Sequence, residues 1–68
     1  MEKELVRKEV GARLRELREN QNLTTRELAE LAKLDYSHIA KIERGVYNLR
    51  IDTLHQVAAA LGKKIKIE

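Results

Sequence analysis

Apolar residues recur three and four positions apart in four short runs, and this spacing constrains the fold of the chain more than any other feature. Val6, Val10, Leu14 and Leu17 form the first run, and Leu28, Leu31 and Ala32 the second. Ile39 and Ile42 belong to the third; Leu54, Val57, Ala58 and Leu61 make the fourth. Such spacing lines side chains along one face of an α-helix. Helices this short are marginal alone in water, so each must bury its stripe against the others. The expected fold is all-α, with four short helices packed on one another. At 68 residues the chain is expected to be one domain over 1–68. With two Tyr and no Trp or Phe, the core must be aliphatic. Small scaffolds of this kind often gain stability by oligomerising.

Punctuation places the helices. The first is predicted over about residues 5–21, with Gly11 inside it at a cost of about 1 kcal/mol against alanine. Close approach of a neighbouring helix would explain that glycine. Asn22 suits a left-handed helix end. The second helix opens at Thr24, and T-T-R-E puts Glu27 where a capping box needs it. Leu34 and Asp35 fall in the break, with Asp35 as the expected cap of a third helix over Tyr36–Arg44 that Gly45 stops. V-Y-N-L-R reads as a loop. A fourth helix is predicted over about residues 51–61, ended by Gly62. The last six residues, KKIKIE, alternate polar and apolar and put Ile65 and Ile67 on one side. That is the period of a short β-strand.

Several functional classes are excluded or disfavoured. There is no cysteine, so disulfides and thiolate metal sites are out. The two histidines, His38 and His55, lack metal-ligand spacing. No nucleophile–base set and no phosphate loop is present, so neither an enzyme nor a cofactor is expected. No apolar run approaches a membrane span, and the charged N-terminus is unlike a secretory signal. A soluble cytoplasmic protein is the expectation. Net charge is +3, and its distribution is uneven. Residues 1–35 carry eight basic and eight acidic side chains, whereas residues 36–68 carry six basic and three acidic. A one-sided basic bias is the footprint of a polyanion binder.

The third helix explains where that bias acts. On a wheel of 100° per residue, Ile42 and Glu43 fall within about 60° of Ile39. Ser37, Lys41 and Arg44 gather near the opposite pole with Ala40 beside them. Ordinary solvated helix faces mix both charge signs; this face carries no acid. Arg and Lys reach phosphates, and Ser and Lys reach base edges, in a major groove. A short helix preceded by another across a tight turn is a helix-turn-helix arrangement. Glu43, on the apolar side, needs a cation, because an unpaired buried carboxylate costs several kcal/mol. Arg18, at the edge of the first helix's stripe, is the expected partner. His38 flanks the proposed DNA face and, with Arg50, is a further candidate for phosphate contact.

The stretch from residue 10 to residue 62 resembles the Cro/C1-type helix-turn-helix family of phage repressors and bacterial regulators. The resemblance rests on L-R-x-x-R-x-x-x-x-L-T (14–24), E-L-A (27–29), I-x-x-I-E-R-G (39–45) and L-x-x-V-A-x-A-L-G (54–62). It implies a compact bundle of four to five helices with a helix-turn-helix, acting as a homodimer that binds double-stranded operator DNA and regulates transcription, most simply as a repressor. It implies base contacts from Tyr36, Ser37 and Lys41, and phosphate contacts from Thr25, Arg44 and the loop at Asn48. Arg18 and Glu43 match an ion pair of the family. Lys33 stands where glycine is usual in the turn, Leu49 where proline often follows the loop asparagine, and Arg50 where a capping serine is common. Some members, including DNA-binding antitoxins, end in a strand that pairs with its two-fold mate. Residues 63–68 are therefore expected to be such a dimerising strand, through Ile65 and Ile67, or else a free tail. An antitoxin with a toxin partner, and a protein-binding module built on the same fold, are the alternatives.

Overall fold

The computed structural model describes residues 3–46 and 49–66. They contain four helices: α1 (Lys3–Asn20), α2 (Thr25–Ala32), α3 (Tyr36–Arg44) and α4 (Ile51–Ala60). α3 packs against both α1 and α2, and α4 closes on α2. Leu28, Ile39 and Val57, one from each of α2, α3 and α4, are fully buried at the centre. Leu14, Ile42 and Leu61 surround them, with Ala29 and Ala32 filling the α2 side. Helical periodicity thus becomes one aliphatic core, in which truncating a buried Leu or Ile to alanine costs about 2–5 kcal/mol.

Leu31 departs from its expected place and is 56% exposed. α2 buries Leu28, Ala29 and Ala32 instead. At 100° per residue, Leu31 lies about 110° from the middle of that arc. α2 is pressed by both α3 and α4, and their combined contact turns Leu31 outward.

All four helices end in the same way. Asn22 and Lys33 (φ 58° each), Gly45 (φ 72°) and Gly62 (φ 71°) take the left-handed conformation. After each, the next N–H reaches back across the last turn. Leu23 donates to the Arg18 carbonyl at 3.1 Å, Leu34 to Ala29 at 2.9 Å, Val46 to Lys41 at 3.3 Å, and Lys63 to Ala58 at 2.8 Å. These are Schellman closures, which satisfy carbonyls that a helix end otherwise leaves open. Lys33 adopts this conformation despite its Cβ, so the α2–α3 turn keeps a glycine-type geometry with a lysine in it.

The helix starts are less uniform. Thr24 and Glu27 form the expected capping box: Thr24 Oγ1 accepts from the Glu27 N–H at 3.0 Å, and Glu27 Oε1 from the Thr24 N–H at 2.8 Å. Asp35 stands at the N-cap of α3 with extended backbone, but its side chain makes no capping hydrogen bond. Arg50, at the N-cap of α4, makes none either; a guanidinium has no acceptor to offer. Two glutamines tie helix ends together instead. Gln56 Nε2 donates to the Ala32 carbonyl at the end of α2, and Gln21 Nε2 to the Leu61 carbonyl at 2.7 Å.

The expected C-terminal strand is not formed among the described residues. Residues 63–66 have no regular structure, and Ile65 is half-buried; Ile67 lies outside the described residues. The N–H of Lys63 is committed to closing α4. No second strand exists among the described residues to receive the rest of the ladder. A lone extended segment leaves its backbone groups without partners. The architecture is all-α.

α1 and α3 meet backbone to backbone. A Cβ at Gly11 would stand 2.4 Å from the Ile42 carbonyl oxygen and 2.6 Å from that of Glu43. A Cβ at Gly45 would stand 2.6 Å from the Cα of Lys8. Gly11→Ala is expected to destabilise the fold by about 1–3 kcal/mol through overpacking, although alanine favours a helix by about 1 kcal/mol. Urea denaturation checks this, and an unchanged midpoint would mean that the helices separate at no cost. Lys33→Gly has the opposite expectation. Relief of the left-handed lysine should add about 1 kcal/mol, read as a rise in Tm of about 4–8 °C.

Candidate nucleic-acid interface

α3 is amphipathic in the way its sequence implies. Ile39 and Ile42 face the core, while Ser37, Lys41 and Arg44 are exposed and Ala40 is half-buried. These outer residues border an open groove that Arg15 of α1 and Thr25 of α2 also rim. Tyr36, the first residue of α3, lines the same groove and is 46% exposed.

Arg18 and Glu43 meet at the base of this groove. Arg18 Nε donates to Glu43 Oε2 at 2.8 Å and Nη2 donates to Oε1 at 3.1 Å, a two-point pairing of guanidinium and carboxylate. Nη1 donates to the Leu23 carbonyl at 2.8 Å, so the same side chain also ties down the α1–α2 loop. Arg18 is 9% exposed. Its hydrogen bond to Glu43 raises its pKa above the ordinary arginine value; burial opposes this, and the charges of Glu43 and Glu19 add to it. A raised pKa on a cation contributes stability that is present at every pH below the ordinary value. It is lost only as the pH climbs through the raised one. Arg18 therefore stays charged at every pH up to and beyond the ordinary arginine value.

The neutralised pair leaves the groove's charge to its rim. Arg15 is partly offset by Glu19 at 3.2 Å, an exposed contact of small energetic weight. No acid among the described residues bonds to Lys41 or Arg44. The outer side of α3 is thus cationic, hydroxyl-bearing and acid-free. Among the described residues no cluster of His, Cys, Asp or Glu could hold a metal ion. None of their helices is long and apolar enough to cross a membrane.

Five residues singled out from the sequence come together here: Thr25, Tyr36, Ser37, Lys41 and Arg44. Others do not join them. His38 is half-buried, and its Nε2 is shut off from solvent; it lies about 160° around the wheel from Ala40. Arg50 is exposed at the start of α4 and does not line the groove. Asn48 lies outside the described residues. Two residues appear that no local pattern marked. Arg15 reads in sequence as one more charge on a mixed face, and only the approach of α3 makes it part of a rim. The Arg26 guanidinium lies over the Tyr36 ring, 4.5 Å from its centroid; the two belong to different helices.

The coupling of Arg18 and Glu43 is measurable. Arg18→Met and Glu43→Gln are each expected to cost about 3–5 kcal/mol, since each strands a buried partner. A double-mutant cycle in urea should show a favourable interaction of about 1–3 kcal/mol. Strictly additive effects would mean that the two groups do not support one another.

A family model described as helix-turn-helix matches residues 14–67. An immunity repressor protein of Bacillus phage phi105 is 45% identical over 56 residues, which is 82% of this chain and 39% of the phage protein. A protein of Mycobacterium tuberculosis (strain ATCC 25618 / H37Rv) named as antitoxin HigA2 is 41% identical over 64 residues, 91% of this chain and 63% of that protein. The chain thus spans less than two thirds of the length of either curated relative. The matched span takes in the C-terminal part of α1 from Leu14 onward, the whole α2–turn–α3 unit and α4, and on these grounds the chain belongs to the Cro/C1-type helix-turn-helix family.

Proposed function

We propose that this chain is a sequence-specific DNA-binding domain that represses transcription as a homodimer on a two-fold operator, with no catalytic activity. The observation that carries the reading is the outer face of α3. It offers Ser37, Lys41 and Arg44 without an acid, and it is held from behind by a buried ion pair. α3 has nine residues, so its outer strip is about 12 Å long, and a major groove admits such a helix. With its first turn toward the bases, Tyr36, Ser37 and Lys41 face base edges. Thr25 at the start of α2 and Arg44 at the end of α3 face phosphates on either side. In a dimer the two copies of α3 would enter half-sites about one helical turn apart, roughly 34 Å. Neutralised phosphates supply much of the affinity and make it fall with salt. The phage relative named as an immunity repressor supports this reading.

A second reading, a DNA-binding antitoxin held by a toxin partner, is supported by the relative named as antitoxin HigA2, which matches 91% of this chain. It uses the same α3 face for DNA and adds a partner elsewhere. Sizing and pull-down with a co-expressed neighbouring gene product separate the two.

Selection from random duplexes, followed by competition binding at several salt concentrations, tests the reading. Lys41→Ala is expected to weaken binding and relax preference at one base position by about 1–3 kcal/mol. Arg44→Ala should weaken binding to all duplexes alike and reduce the salt slope by about one. If Lys41→Ala left the ranking of operator variants intact, its base-reading role would be wrong.

A further inference from the structure

Two residues next to the groove run against local preference. Arg26 sits in the first turn of α2, at the positive end of the helix dipole, where an acid is the favourable choice. Tyr36 opens α3 and leaves nearly half of a large aromatic surface in solvent. Neither placement helps its own helix. Both make sense together, because the guanidinium lies 4.5 Å from the ring centroid, the geometry of a cation–π contact. Tyr36 lines the groove and Arg26 does not. The cation therefore braces the ring from outside and leaves the groove itself clear.

We propose that Arg26 is a positioning residue for base recognition: stacked on Tyr36, it holds the ring at the mouth of the groove so that the ring meets one base edge in a defined orientation. This rests on the reading of α3 as the helix that enters DNA. An exposed aromatic side chain otherwise samples several rotamers, and ordering it on binding lowers affinity for the right sequence. The stack orders it beforehand. The guanidinium keeps its outward N–H groups available, so Arg26 also serves as a phosphate contact on the same side of the groove.

The experiment compares the unaltered chain, Arg26→Met, Tyr36→Leu and the double variant, first for thermal unfolding and then for binding to a panel of operator variants at several salt concentrations. Arg26 is exposed, so Arg26→Met should melt close to the parent. It should relax preference at the base facing the first turn of α3 by about two- to fivefold, the size of an exposed cation–π contact. It should also reduce the salt slope by about one. With Tyr36→Leu already present, Arg26→Met should change the salt slope but add nothing to the loss of preference. Arg26→Lys, which restores a cation over the ring, should recover part of the preference. Unchanged preference in Arg26→Met, or an equal loss with and without the ring, overturns the proposal while leaving DNA binding in place. Failure of the unaltered chain to bind any duplex in a salt-sensitive way overturns both the proposal and the reading beneath it.

Discussion

The Arg18–Glu43 pair joins three parts of the chain at one point. Arg18 belongs to α1 and Glu43 to α3, and the third arm of the guanidinium holds the Leu23 carbonyl in the loop before α2. Burying two charges costs several kcal/mol per ion, which attraction offsets only when geometry is good and the remaining donors are met. Here the carboxylate is gripped at both oxygens, and all three arms of the arginine have acceptors. An apolar pair of similar volume would serve stability as well, but it would tolerate sliding. A two-point planar contact fixes the rotation of α3 about its own axis, and that rotation decides which side chains face outward.

Backbone contacts reinforce the same constraint. Gly11 lets the carbonyls of Ile42 and Glu43 approach α1, and Gly45 lets α1 approach the end of α3 at Lys8. The last turn of α3 is thus held by close packing on one side and by the ion pair beside it. The Schellman closures then stop each helix within a residue, so the α1–α2 and α2–α3 connections stay short and little conformational entropy is left to them. A chain of 68 residues without large aromatics or disulfides has few other means of holding one geometry.

The outcome is a rigid support with a chemically simple exposed strip. Ser37, Lys41 and Arg44 carry no acid among them, and Arg15 and Thr25 from the neighbouring helices extend the rim. Helix N-termini and cations around a concave strip suit a polyanion whose surface is regular. The Arg26–Tyr36 stack belongs to the same logic at a finer scale, since it sets a cation over an exposed aromatic ring at the edge of that strip.

The sequence by itself determined the helices, their ends and the amphipathic split of α3. The three- and four-residue spacing, the Thr24–Glu27 box, and Asn22, Gly45 and Gly62 as left-handed stops are effects of near neighbours, which local chemistry settles. It also made Arg18 a reasonable partner for Glu43, because a buried acid demands a cation. Only the tertiary structure decided that Leu31 turns outward, that Lys33 bears a left-handed turn, that the Asp35 side chain makes no capping bond at the N-cap it occupies, and that the isoleucine-bearing tail forms no strand within the described residues. The same holds for His38 leaving the groove and for Arg15 and Arg26 joining it. Each of these depends on what another helix presses against or leaves open, and that information resides in contacts between residues far apart in the chain rather than in the spacing along it.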